Sequence, residues 1–118
     1  MLKKENRIRT QKEFDQFFGR NFKMAKGINF SGAFMFVKVL PSTRKVSRIG
    51  FMVNNKVDKR ATERNKIKRR LREVVRLNLA GLRGKSDVLI VANSKIVGKT
   101  YKEIEAVVVD LLKKAKVL

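Results

Sequence analysis

The sequence predicts an α+β fold, a two-layer sandwich in which a central mixed β-sheet has helices packed on it. Three observations support this prediction. Residues 33–40 and 87–92 are strongly apolar segments of strand length, residues 60–80 combine an apolar stripe at helical spacing with many cations, and residues 100–112 carry a second such stripe. Because the basic helix lies between two strands, it must serve as a strand-to-strand crossover, for which a right-handed connection is the usual expectation.

The composition is that of one domain with an anionic partner. The chain has 118 residues, of which 43% are hydrophobic, and its 30 Lys and Arg against 10 Asp and Glu give a formal net charge of +20. Repulsion among so many positive charges destabilises the domain, so the charge predicts a polyanionic partner that neutralises it. Nucleic acid is the first candidate and an anionic membrane surface is the second. No stretch approaches the roughly 20 apolar residues of a spanning helix, and the basic helix lacks an aromatic insertion face.

Several kinds of chemistry are excluded because the chain contains neither Cys nor His. Disulfides, Cys/His zinc sites and histidine-dependent catalysis are therefore not available. The ten acids are scattered, so no catalytic residue and no metal ligand is predicted for this chain acting alone. Residues 1–7 are basic and no apolar signal segment follows them, which favours a cytoplasmic location.

The first predicted element is a helix over residues 11–20. Thr10 and Glu13 have the spacing of a capping box, in which each side chain satisfies the other's backbone amide. Three aromatic residues on this helix share one face: Phe14, Phe17 and Phe18. Two interpretations stay open, since the rings could all belong to the core, or one or two could line a groove and stack on unpaired bases.

Strands are predicted at residues 33–40, 48–53 and 87–92, with residues 28–30 as a further short candidate. The short polar link between the first two favours an antiparallel hairpin. Alternation along the first strand places Phe34, Phe36 and Lys38 on one face. The five consecutive apolar residues of 88–92 predict a strand buried on both faces, at the centre of the sheet.

The basic helix is predicted to start near Asp58 or Thr62, either of which could be its N-cap, and to end near Ala80 before Gly81. Its apolar residues occur at i, i+4, i+7 and i+8: Ile67, Leu71, Val74 and Val75. The final helix follows a second capping box, Thr100 with Glu103, and has an apolar stripe of its own. Both helices are therefore expected to pack on the sheet.

The cations of the basic helix suggest a binding function. Residues 60–76 carry eight Lys and Arg against only Glu63 and Glu73, whereas solvated helix faces generally mix the two signs. The guanidinium group of Arg can bind two phosphate oxygens at once, and Lys supplies a point charge. Asn65 can contact a base edge or a 2′-hydroxyl. Charge alone does not decide between double-helical DNA and folded RNA.

Residues 60–73, RATERNKIKRRLRE, resemble the arginine-rich helix of the bacterial ribonuclease P protein subunit, whose pattern is roughly R-A-x-E-R-N-R-I-K-R-x-x-R-E. The resemblance continues through residues 4–8, Glu13 with Phe14, residues 48–53 and residues 87–92, all in the order of that family. It covers nearly the whole chain, and the chain length agrees.

The resemblance implies a single RNA-binding domain over residues 1–118, similar to the ribosomal protein S5 domain 2-like fold, with a left-handed β-α-β crossover through the basic helix. It implies a subunit that binds the catalytic ribonuclease P RNA and the 5′ leader of precursor tRNA. The hydrolysis and its Mg²⁺ would belong to the RNA, with no cofactor held by the protein alone. The implied RNA-binding residues are Arg60, Arg64, Asn65, Lys66, Lys68, Arg69 and Arg72, and the implied leader-binding residues are Phe14, Phe18 and Lys56.

Some positions depart from the family pattern. Lys66 replaces the usual Arg and so lacks a bidentate fork, and fewer basic residues flank the motif, where Asn54, Asn55 and Asn93 stand. A structural ribosomal or RNA-packing protein is the alternative that the same charge and fold would suit. An autonomous nuclease is a third class, against which the scattered acids argue.

Overall fold

The computed structural model describes residues 7–8, 10–41, 47–78 and 86–115. Four strands in this part of the chain form one mixed sheet, and helices lie against both of its faces. In chain order the elements are α1 (Gln11–Asp15), α2 (Gly19–Met24), β1 (Ile28–Ser31), β2 (Met35–Pro41), β3 (Arg48–Met52), α3 (Ala61–Leu77), β4 (Ser86–Ala92), a 3₁₀ turn (Ser94–Ile96) and α4 (Tyr101–Lys114).

The strand order is β1-β2-β4-β3, so the predicted hairpin between β2 and β3 is wrong. β4 lies between them, antiparallel to β2 and parallel to β3. The reason is burial: five residues of β4, from Val88 to Ala92, are buried, and only a central strand has both faces covered. The predicted central position of this strand and the short first strand are both confirmed.

One face of the sheet, here called the covered face, packs against α3 and α4. The predicted stripe of α3 is buried there, and α3 connects β3 to the neighbouring parallel strand β4, as the predicted crossover requires. The left-handed connection that the family resemblance implies for this crossover stays a prediction. Residues 0% exposed in this layer include Val37, Leu71, Val74, Val75, Val88, Ile90, Ile104, Val108, Leu111 and Leu112.

The opposite face, here called the open face, carries α1 and α2, and the single predicted helix over residues 11–20 is wrong. The chain leaves the helix after Asp15, becomes extended at Phe18 and restarts at Gly19, whose φ is +61°. In a continuous helix Phe17 and Phe22 would point about 140° apart at 100° per residue. The break allows both rings to be buried against the sheet.

The boundaries of α3 also differ from prediction. Its N-cap is Arg60, which makes no side-chain capping bond, so neither Asp58 nor Thr62 has that position. The helix ends at Leu77, with Asn78 as C-cap, and the predicted end at residues 80–81 lies outside the described residues. Both capping boxes are confirmed, with Thr10 and Glu13 on α1 and Thr100 and Glu103 on α4.

Candidate nucleic-acid interface

The exposed side of α3 forms a line of polar and cationic side chains, here called the basic ridge. It consists of Asn65, Arg69, Arg72 and Arg76, at i, i+4, i+7 and i+11. All four are exposed and lie on the side of the helix opposite the buried stripe. At about 1.5 Å per residue the ridge is about 16 Å long. It can therefore contact several consecutive phosphates.

Two further predicted RNA-binding residues flank the basic ridge on opposite sides. Lys66 is exposed, whereas Lys68 is half-buried beside the packed stripe. Of the ridge residues, Arg76 is paired with Glu73 of the same helix, with 3.1 Å between the Arg76 Nε and a carboxylate oxygen. Within the described part of the chain, no ion pair engages Arg69 or Arg72. Neither guanidinium group donates a hydrogen bond to another residue that the structure describes, so their donors can bind phosphates.

The remaining two predicted RNA-binding residues contact the turn that precedes α3. Arg60 pairs with Asp58 through two hydrogen bonds of 2.9 and 3.1 Å, although its side chain is 67% exposed. One nitrogen of Arg64 donates to the carbonyl oxygens of Asp58 and Lys59, at 2.9 and 2.8 Å. Arg64 thus holds this turn against the helix, a role that the sequence motif does not reveal.

The Arg60–Asp58 pair has a measurable consequence. Hydrogen bonds from the Arg60 guanidinium and backbone amide lower the pKa of Asp58 from 3.8 to about 2. Because the folded pKa is depressed, the contribution of this pair to stability is complete above about pH 4 and is lost as the pH falls from 3.8 towards 2. We expect NMR titration of the Asp58 carboxyl to give a midpoint near 2, and a higher midpoint, still below 3.8, in Arg60→Ala, where the backbone amide of residue 60 remains. A midpoint near 3.8 in the unmodified protein would show that the pair does not form in solution.

The strand register defines a second surface on the open face. Phe36 of β2 and Met52 of β3 both lie opposite Val91 of β4, so the three side chains form a row across three strands. Phe36 and Met52 are half-exposed, whereas Val91 is 8% exposed. We call this row the open strip. It lies at the carboxyl ends of β3 and β4, the end of the sheet where residues 54–60 lead into α3.

The next row beside the open strip explains how α1 reaches the sheet. Lys38, Leu89 and Gly50 are paired across the same three strands. The ring of Phe14 lies over Gly50, where an added Cβ would be 3.1 Å from the ring carbon Cε1. Glycine at position 50 therefore permits the close approach of α1.

The three aromatic residues of the first helical segment have different environments, so the core interpretation is confirmed for Phe17, and stacking on unpaired bases stays a prediction for the more exposed rings. Phe17 is 1% exposed and belongs to the core, and Phe14 is half-buried on the open face. Phe18 is 37% exposed, and the Lys38 ammonium lies 5.1 Å from the centre of its ring. Of the two predicted leader-binding rings, Phe18 is the more accessible to a ligand.

Arg48 fixes the position of α1. It makes a bidentate pair with Asp87 of β4, at 2.7 and 3.0 Å, and also pairs with Glu13 of the capping box. Its side chain is only 12% exposed. The capping box is thereby attached to the sheet, and the rings that follow it are held in place.

Lys56, the third predicted leader-binding residue, is exposed in the turn after β3. Its backbone amide donates to the side chain of Asn54 at 3.0 Å, so the family departure at position 54 shapes this turn. Asn93 likewise accepts from the amide of Lys95 and begins the 3₁₀ turn. Phe34, predicted to share a face with Phe36, precedes β2 and packs in the covered layer instead.

Some residues of these surfaces were not among the predicted site residues. Arg76 extends the basic ridge by one turn. It could have been predicted from the sequence, because it lies at i+4 from Arg72 and residues at this spacing share a helix face. Strand alternation already placed Phe36 and Lys38 on one face, but Met52 joins them only through the strand register, for which the sequence has no local signal.

The described acids do not suit a metal ion. Among residues 7–8, 10–41, 47–78 and 86–115, no three Asp, Glu, His or Cys side chains are grouped as ligands would be. The described helices also include none that is long and apolar enough to cross a membrane.

A small α+β domain with a cationic helical ridge and a partly open aromatic sheet face is a nucleic-acid-binding protein by its chemistry. Comparison with known proteins identifies the family. A family model described as Ribonuclease P matches residues 2–116. The chain belongs to the ribonuclease P protein family, and the implied holoenzyme is an endoribonuclease that also contains an RNA.

Individual relatives agree with this assignment. The ribonuclease P protein component of Clostridium novyi is 36% identical over 116 residues, which cover 97% of this chain and 96% of that protein. A Staphylococcus aureus RNase P protein structure is 26% identical with a TM-score of 0.81, covering 95% of this chain and 96% of the other. The RNase P protein from Thermotoga maritima is 25% identical with a TM-score of 0.71, covering 80% and 91%.

Proposed function

We propose that this protein binds the RNA subunit of ribonuclease P through the basic ridge and the 5′ leader of precursor tRNA through the open strip with Phe14 and Phe18. The leader would thereby be presented for endonucleolytic removal. The observation that carries the proposal is the presence on one domain of two surfaces with different chemistry, each of which suits a nucleic acid. One offers guanidinium groups for phosphates, and the other offers half-exposed rings beside an ammonium group.

The chemistry of the two surfaces differs in a way that suits two different RNAs. Arg69 and Arg72 project from a rigid helix and can bind the phosphates of a folded RNA with its backbone in a defined register. Phe18 and Phe36 present ring faces, on which unpaired bases can stack irrespective of their identity. A single-stranded leader has such bases, whereas the paired acceptor stem of a mature tRNA does not.

The two surfaces are also connected by the fold. The open strip lies at the carboxyl ends of β3 and β4, and the chain leaves β3 through the turn containing Lys56 and Arg60 before it forms α3. A precursor tRNA leader on the strip would therefore lie near the start of the helix that binds the RNA subunit. Screening of the repulsion between two polyanions follows from the net charge of +20.

Within this proposal, the protein supplies binding and orientation, and the metal-dependent hydrolysis occurs on the RNA. The dispersed acids of the described chain support this division of labour, because Mg²⁺ binding by a protein needs converging carboxylates. Every role assigned here to a side chain is a contact with RNA. We assign none of them to proton transfer.

The direct test adds the purified protein to a bacterial ribonuclease P RNA at low Mg²⁺ concentration and follows leader removal from precursor tRNA. We expect the protein to stimulate cleavage and the complex to bind precursor tRNA more tightly than mature tRNA. If a folded protein gives no stimulation, the proposal is wrong. Equal affinity for precursor and mature tRNA would instead favour the alternative function, a structural RNA-packing protein without a role in processing.

A further inference from the structure

The surface around α2 carries cations that the two RNA surfaces described above do not include. Arg20, Lys23 and Lys26 are all exposed, and we call them the α2 cluster. Residues 16–57 contain eight Lys and Arg and no Asp or Glu. The nearest acid on the N-terminal side is Asp15, which accepts a hydrogen bond from Gln11, and none follows the α2 cluster before Asp58.

The cationic surfaces of α3 and α4, in contrast, carry acids on the same helices. Arg60 and Arg76 pair with acids near α3, and Lys99 and Lys114 pair with Glu103 and Asp110 on α4. No ion pair involves a member of the α2 cluster in the described ranges. Because a solvated helix face usually mixes the two signs, an uncompensated cluster indicates an anion supplied by another molecule.

Lys38 lies in the row beside the open strip and also contacts α2. Its ammonium lies 5.1 Å from the centre of the Phe18 ring and 4.5 Å from that of Phe22. Phe22 belongs to α2 and is 6% exposed, packed so tightly on Gly27 that an added Cβ there would come within 2.3 Å of the ring. Lys38 thus lies between the accessible ring of Phe18 and the helix that carries the cluster.

Lys26 supplies an independent observation. It follows Ala25, the C-cap of α2, and has a φ of +60°, in the left-handed conformation; the amide of the next residue, Gly27, donates to the carbonyl of Phe22 at 2.9 Å. Glycine is the usual residue at this position of a helix end, because a side chain there is strained. A lysine at this position strains the backbone and so lowers the stability of the fold, but it places a cation at the exposed end of α2. Backbone strain of this kind is found at functional sites, which indicates that the charge of Lys26 has a function.

From these observations we infer that the α2 cluster binds the phosphates of the upstream part of the leader, beyond the bases that contact Phe18. This inference rests on the proposed function. The strand passes from the open strip over Lys38 to α2, and its phosphates contact Arg20, Lys23 and Lys26. Since phosphate contacts carry no sequence information, this segment adds affinity for long leaders without base preference.

The test compares the binding of three RNAs to the assembled ribonucleoprotein: mature tRNA, precursor tRNA with a leader just long enough to reach Phe18, and precursor tRNA with a leader roughly ten nucleotides longer. The variant combines Arg20→Gln, Lys23→Gln and Lys26→Gly. The matched control, Lys102→Gln with Lys113→Gln and Lys114→Gln, removes the same charge from exposed positions of α4.

We expect the unmodified protein to bind the long leader more tightly than the short one, and the α2 variant to lose that difference, about tenfold at low salt. For the long leader alone, the slope of log K against log salt should fall by about 2, from three single-strand contacts of about 0.7 each. The control should change neither quantity. An α2 variant that weakens the long and short leaders equally would overturn the inference, as would an unmodified protein that does not distinguish them. Neither result affects the proposed function, which requires only that leader-bearing RNA bind more tightly than mature tRNA.

The single change Lys26→Gly separates binding from folding. Because glycine relieves the left-handed strain, the unfolding midpoint should stay the same or rise, while the affinity for the long leader falls about twofold. A rise in stability with unchanged long-leader affinity would show that Lys26 does not contact the RNA.

Discussion

Replacing Arg69 and Arg72 with alanine should weaken binding of the ribonuclease P RNA and lower the slope of log K against log salt by about 2. Both side chains are exposed on the basic ridge and lack an ion-pair partner in the described chain. Their donors are therefore free for phosphates, and each lost contact removes about 0.9 from the slope for paired RNA. The free energy of unfolding should change by less than about 0.5 kcal/mol, as for other exposed positions.

Arg64→Ala is the informative comparison, because the sequence motif assigns Arg64 to the same RNA-binding set. Its guanidinium already donates to the carbonyl oxygens of Asp58 and Lys59. We expect Arg64→Ala to change the salt slope less than Arg69→Ala and to loosen the turn before α3, measured as faster amide exchange in residues 58–60. Salt titrations of both variants decide the matter. An unchanged slope for the variant lacking Arg69 and Arg72 would show that the ridge faces solvent in the complex.

Phe17→Ala should lower stability and Phe18→Ala should weaken binding, although the two residues are adjacent. Phe17 is 1% exposed in the cluster under α1 and α2, so its loss should lower the free energy of unfolding by about 3–5 kcal/mol. Phe18 is 37% exposed, so its loss should leave the fold intact and weaken binding of leader-bearing RNA by roughly 1–3 kcal/mol.

Chemical denaturation and equilibrium binding of precursor and mature tRNA measure the two effects separately. Mature tRNA is the internal control, since a stacking contact with the leader cannot affect it. If Phe18→Ala destabilises the protein as much as Phe17→Ala and leaves leader affinity unchanged, Phe18 is a core residue and the leader lies elsewhere.

The sequence by itself determined the elements and their layers where the signal was local. Periodicity identified α3 and α4 with their buried stripes, capping boxes marked the starts of α1 and α4, and five consecutive apolar residues placed β4 at the centre of the sheet. The basic helix motif also indicated the family. These features depend on residues a few positions apart, for which spacing is sufficient.

Tertiary structure decided what depends on distant residues. β4 separates β2 from β3 because its two faces must both be covered, and the first helix breaks because Phe17 and Phe22 must both be buried. The strand register brings Phe36, Met52 and Lys38 together on the open face. Arg64 has partners only five and six residues away, but it is the conformation of the turn before α3 that makes this cation a support for the turn. Sequence spacing does not predict the strand order, the helix break or the cross-strand register. Each depends on which residues are buried or hydrogen-bonded together once the whole chain has folded.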